Sequence, residues 1–364
     1  MLTLICTVAL FLAPRVPSYE QAREDQAKST TIRLRLVAEI RDAGKRPLSA
    51  APVVKTSTFF GDADLFSRLT GAAERDGALI VGDSRTSPHL FRFSTKSGAL
   101  THSGARQGRG PGEVVYPASL LLSPDGTEVG VFDFNLRRLL WFSAASLKST
   151  GRILSLGDVG SLAGILHNGS DFLANPISPD VSLVKIRANG TVSVSYSLQL
   201  PFGPPQVSDL TARRLLNVSV LSTDSPLASK AVLAYQMIGA LDIVDLASRT
   251  FVRVHGPRPV KVAFRFVPPS GRFKWEDESE NAYVGVASTP TRIYALFSGS
   301  RDDERRYGAR YVHVFDWQGR FLGEFSLDRD ASFLAVTQDQ LGLLFGTDTP
   351  FPSVARALIP HQYR

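Results

Sequence analysis

Through most of this chain, apolar and polar residues alternate in runs of about four to eight, the length of β-strands, and turn residues cut each run. Five pairs of runs read as hairpins. Phe91–Phe93 leads through Ser97-Gly98 to Ala99–His102, and Leu139–Phe142 leads through Ser143–Ser146 to Gly151–Leu154. Leu183–Ile186 turns at Asn189-Gly190 into Val192–Tyr196, and Leu241–Val244 turns at Ala247-Ser248 into Phe251–Val254. Tyr311–Phe315 turns at Trp317–Gly319 into Phe321–Phe325. Gly and Asn at such tips fit because tight hairpins demand positive φ, which these residues adopt at least cost. No amphipathic helix of useful length is present; Ala22–Lys28 makes at most one short turn.

The hairpins recur at roughly 40–70 residues, the period of a four-stranded unit lengthened by loops. Two further apolar strands precede each, such as Ala78–Gly82, Leu120–Leu122 with Val129–Phe132, and Ala282–Ala287 with Ile293–Phe297. A sixth set fills the tail: Phe333–Thr337, Leu341–Phe345 and Val354–Ile359. The pattern predicts an all-β chain, a β-propeller of six four-stranded antiparallel blades. Either Ile32–Ile40 or Pro52–Phe59 completes the last blade and closes the ring, which removes exposed sheet edges. Seven blades is the alternative, because Ile32–Phe66 is long enough to hold more strands. The expected domains are a leader over residues 1–30 and one propeller over 31–364. Two interruptions stand out: a linker at Pro201–Pro205 and a long insertion from His255 to Asn281 with Pro-Pro-Ser-Gly at its centre.

Three stretches carry a resemblance to a known group. Gly108-Arg109-Gly110-Pro111-Gly112-Glu113 with Tyr116-Pro117 resembles a G-x-GPGE-F-x-x-P element that opens a blade. Arg292–Gly299 resembles an I-Y-A-L-Y-S-G strand, with Phe297 for tyrosine, and Val312–Gly319 resembles an I-x-V-F-D-W-x-G hairpin. In order and spacing these are similar to the TolB-like six-bladed propeller proteins of bacteria, many of them exported. The resemblance implies the fold and supplies no catalytic motif.

Composition narrows the function classes. With 43% apolar and 21% charged residues the chain is ordinary for a globular protein. The net charge of +7 is mostly arginine scattered singly, whereas a nucleic-acid footprint needs clustering, so no nucleic-acid partner is expected. Cys6 is the one cysteine, which excludes an intramolecular disulfide and a multi-cysteine zinc site. No run reaches the ~18 apolar residues of a membrane span. Leu2–Ala13 has the length of a signal-peptide core but lacks the basic flank. Export to the periplasm or cell surface is the expectation if it is a signal, and a cytoplasmic location if it is not.

Candidate chemistry falls on two loops and one strand end. The GRGPGE loop offers a nest of backbone N–H groups that could grip an anion with Arg106, Arg109 and Glu113 nearby, although a tight blade crossing needing glycine explains it as well. In the insertion, Phe273 and Trp275 are the candidates for partner contact, since aromatic residues dominate interface energetics. Asp133 and Asn135, just past a strand, could ligate a calcium ion if oxygens from other blades (Asp83, Asp171, Asn175, Asp242, Asp316) converged on them. More often such an Asp caps a turn. The six histidines show no metal-ligand spacing and flank no G-x-S-x-G nucleophile. Two readings follow. One is a cofactor-free, non-enzymatic binding module presenting a protein, peptide or glycan site on one face of the disc. The other is a metal-dependent, lactonase-like hydrolase or lyase acting in the central channel.

Overall fold

The computed structural model describes residues 30–41, 51–62, 64–198, 216–224, 228–267, 272–276, 278–301, 308–348 and 351–364. Six sheets form the blades of a propeller. Blade I comprises Leu69–Arg75, Ala78–Asp83, Leu90–Ser94 and Leu100–Gly104, from channel to rim. Blade II follows with Pro117–Leu122, Glu128–Asp133, Arg138–Ser143 and Ser149–Ser155. Blade III is Leu162–Asn168, Asp171–Pro176, Leu183–Ile186 and Val192–Ser197. Blade IV is Ser219–Thr223, Lys230–Tyr235, Ala240–Asp245 and Thr250–His255. Blade V is Tyr283–Ser288, Ile293–Phe297, Ala309–Phe315 and Phe321–Ala331. Blade VI has Leu334–Val336, Gly342–Thr347 and Ser353–Leu358, and takes its outer strand, Thr56–Phe60, antiparallel from the other end of the chain.

The six innermost strands neighbour one another in a closed circle, blade VI meeting blade I. Small residues let them approach: Gly71-Ala72-Ala73, Ala118-Ser119, Ala163-Gly164, Gly285 and Ala335 all lie on them. The core sits between blades. Blades IV and V bury Val232, Leu241, Ile293 and Phe297 together, and blades II and III bury Trp141, Phe132, Phe172 and Ile186. Ring closure has its own packing, because Phe60, Phe91, Phe93 and Leu344 share one cluster across blades VI and I.

The described residues between 32 and 66 hold no seventh blade. They form a belt around the outside of the ring. Thr30–Arg33 pairs parallel with the outer strand of blade III, Arg35–Ile40 with that of blade IV, and Val53–Val54 with that of blade V, before Thr56–Phe60 completes blade VI. Blades III, IV and V therefore have five strands, the fifth parallel, rather than a uniform antiparallel four. Of the two strands expected to close the ring, the Pro52–Phe59 region does so. The linker at Pro201–Pro205 lies outside the described residues.

Candidate functional site

Each blade's fourth strand, counted from the channel, precedes the innermost strand of the next blade, so blade-to-blade connections start from one face of the disc, here called the crossing face. The loop joining blades I and II (residues 105–116) and the insertion joining blades IV and V (residues 256–282) are both such connections. Three blades separate them in a ring of six, so they stand on opposite sides of the channel mouth.

The blade I–II crossing is built from its backbone outward. Arg106-Gln107 pairs parallel with Glu113-Val114, folding the loop on itself. The Glu113 carboxylate accepts a hydrogen bond from Gly110 N–H at 2.8 Å, while Gly108 N–H donates to Val114 O. A Cβ on Gly108, whose φ is +156°, would lie 2.1 Å from the Glu113 carboxylate, so only glycine fits. The Arg138 guanidinium donates to the carbonyls of Arg109, Gly110 and Glu113 at 3.3, 3.2 and 2.7 Å. Glu113 thus turns inward as a structural acceptor at the amides that the sequence offered to an anion. Arg106 and Arg109 are exposed.

Asp133 anchors the end of the same crossing. Its oxygens accept from the amides of Val115 (2.8 Å), Tyr116 (3.3 Å) and Leu136 (3.2 Å). Asp83 is its counterpart in blade I, accepting from Ser67, Arg68, Arg85 and Thr86. Both carboxylates are wholly buried and cap the chain where it enters an inner strand. Asn135 is exposed in the following turn. The other oxygen candidates are engaged elsewhere. Asp242 takes both Arg253 (2.7 Å) and the Tyr235 hydroxyl (2.6 Å), Asp316 holds its own hairpin turn, and Asn175 donates to Ser219 O. Among the described residues no three His, Cys, Asp or Glu side chains come together to hold a metal ion.

The insertion carries a two-stranded hairpin, Phe264–Val267 with Arg272–Trp275. Its register opposes Phe264 to Trp275 and Phe266 to Phe273. The base of the insertion is fixed through Arg258, which donates to the two Glu324 oxygens at 2.8 and 2.7 Å and lies 3.8 Å over the Tyr311 ring. Behind Glu324 a buried line runs inward, His313 Nε2 at 2.9 Å from Glu324 and Nδ1 at 3.0 Å from the Tyr283 hydroxyl. Burial pushes the His313 pKa down, which keeps the ring neutral. Burial also acts to raise the Glu324 carboxyl, yet the hydrogen bonds from His313 and Arg258 outweigh it and hold the group at about 2.

Sequence reasoning missed Arg138, Arg258, His313 and Glu324. His313 carried a signal, a polar residue between buried Val312 and Val314 in a strand. Arg138 and Arg258 carried none, since their partners are a loop's carbonyls and a glutamate far along the chain. His89 is similar: its ring nitrogens lie against the carbonyls of Asp83 and Val114, tying blade I to the crossing.

A family described as the TolB-like 6-blade propeller-like proteins matches residues 69–339. The chain belongs to the TolB-like six-bladed propeller family. The match begins at the first inner strand of blade I and so leaves out the belt. The motif residues that suggested the family are structural: Ile293–Phe297 is buried throughout, Tyr294 donates to Tyr363 O at 2.9 Å, and Trp317 Nε1 donates to Thr289 O at 2.9 Å. Among solved structures the chain is similar to a member of the DUF4221 family from Bacteroides vulgatus (13% identity, TM-score 0.55, covering 85% of this chain and 95% of that one). It is also similar to a protein of Bacteroides fragilis assigned as exported (13%, 0.53, 91% and 99%) and to the WD40 repeats of RRP9 (14%, 0.52, 85% and 99%). At these identities the likeness is one of fold. No curated protein matches the chain. No helix among the described residues is long and apolar enough to cross a membrane.

Proposed function

We propose that this chain is a non-enzymatic binding module of an exported bacterial protein, holding a protein, peptide or glycan over the crossing face. One observation carries the reading: the two loops with chemistry suited to recognition, the Arg106/Arg109 crossing and the aromatic hairpin of the insertion, rise on the same face from opposite sides of the channel mouth. A rigid ring that presents loops in this way is a common platform for binding. Export is supported by the apolar stretch Leu2–Ala13 and by the likeness of fold to the assigned exported protein. The buried carboxylates act as caps and tethers, which favours binding over channel chemistry.

The test is capture of ligands from bacterial periplasmic extract, and from a glycan array, on the immobilised full chain. Arg106→Glu with Arg109→Glu, and separately Phe273→Ala with Trp275→Ala, are each expected to reduce retention at least tenfold while the thermal transition stays put. Retention that both pairs leave unchanged overturns the proposal.

A further inference from the structure

The belt shows that the outer strands of these blades accept an added parallel strand, and among the described residues those of blades I and II carry none. In blades III and V the added strand pairs with the stretch of outer strand that follows a bulge, Val194–Ser197 after Ser193 and Ser326-Leu327 after Leu322. Blade I has the same bulge at Thr101, followed by His102–Gly104, and blade II has one before Ile153–Ser155. Nothing among the described residues pairs with either edge. Both strands are exposed along most of their length, Leu100 at 45% and Ile153 at 43%.

These edges form one track. Gly104 runs so close to the next blade that a Cβ there would lie 2.2 Å from Leu147 O, and Gly190 of blade III abuts Ser155 O in the same way. The track therefore leads from blade I across blade II to the place on blade III where the belt begins. Cations dominate it. The outer hairpins of blades I and II carry Arg92, Lys96, Lys148 and Arg152, with Lys96 and Lys148 exposed and Arg152 paired to Glu128 at 3.1 Å, and residues 84–112 and 134–157 contain no Asp or Glu. The outer hairpins of blades IV and V mix both signs, with Asp242, Asp245, Asp316 and Glu324 among their cations.

We infer that the rim of blades I and II is a docking edge for an acidic, extended peptide segment of a partner protein, which adds as a parallel β-strand along His102–Gly104 and Ile153–Ser155. Main-chain hydrogen bonds supply affinity in this mode, and alternate side chains supply selectivity. The surrounding cations choose an acidic strand and repel a basic one. This site lies on the rim, separate from the crossing face, and stands whether or not that face binds a ligand.

The probe is a short synthetic peptide alternating glutamate with valine and threonine, compared with the same peptide carrying a central proline and with linear dextran sulfate, each titrated against the full chain. The expected result is binding of the first peptide, loss with the proline peptide, and about tenfold weakening by Lys96→Glu with Lys148→Glu. Hydrogen exchange then shows new protection confined to residues 100–104 and 149–155. Equal binding of the proline peptide or of dextran sulfate overturns the strand mode and leaves only charge attraction. Protection already present on these edges in the full chain, and lost on removing residues 1–29, overturns the partner by showing that the chain's own start occupies the track.

Discussion

Individual side chains in this protein mostly hold backbone. Asp83 and Asp133 each satisfy several amides that would otherwise be buried without acceptors. Asp133→Ala leaves those donors orphaned, and the expected cost is about 1–3 kcal/mol, read as a lowered midpoint in urea. Asp133→Asn keeps acceptor capacity and should cost less. The Glu324 cluster predicts a pH response. Its carboxyl is held at about 2, below the ordinary 4.5, so the stability it supplies is complete above pH 4.5 and is lost as pH falls toward 2. His313 is held neutral by burial, so its contribution fades as pH drops below its ordinary 6.5. Both act in the same direction: acid destabilises. Stability measured from pH 7 down to 2 should fall, and Glu324→Gln should flatten the part of that fall below pH 4.5. An unchanged slope in this variant would refute the assignment. The sequence favoured a turn cap for an Asp past a strand, and Asp133 is one, whereas the Glu324–His313 contact was not legible. Which amides Asp133 caps is set by the fold.

At the level of elements, the hairpins were legible and the belt was not. Leu183–Ile186 and Val192–Ser197 alternate around an Asn-Gly tip, and the observed strands match the pattern within a residue or two. Thr30–Arg33 and Arg35–Ile40 are nearly all exposed, so they show no buried face to read, and parallel pairing on a distant blade leaves no local turn signal. The inner strands were read only in part, because Leu162–Asn168 and Leu69–Arg75 use Gly and Ala to fit the crowded channel wall rather than β-branched residues. The belt's two ends do different work. Deleting residues 30–41 removes added edges from blades III and IV but keeps ring closure, so the protein should remain folded and elute like the full chain in size-exclusion chromatography, with a lower melting temperature. Deleting residues 30–60 also takes the outer strand of blade VI, opens the ring, and should give aggregation. Equal behaviour of the two deletions would show that Thr56–Phe60 does not close the ring.

The whole molecule is a closed ring whose loops of differing character rise on one face. Its six-fold arrangement sets the crossing of blades I and II opposite the insertion between blades IV and V, an arrangement that no local segment of the sequence encodes. It follows from the blade count and from the fact that both are connections of the same kind. Glu113 and Arg138 stiffen one side, and Arg258 with Glu324 stiffens the other, so both loops are held from below while Arg106 and Arg109 remain exposed. The most direct measurement is hydrogen exchange over the full chain, with and without a ligand captured from periplasmic extract. The account predicts simultaneous protection of residues 105–116 and 256–282, with the hairpin turns of the opposite face, residues 123–127 and 168–171, unchanged. Protection of those opposite turns, or of the inner strands alone, would contradict it.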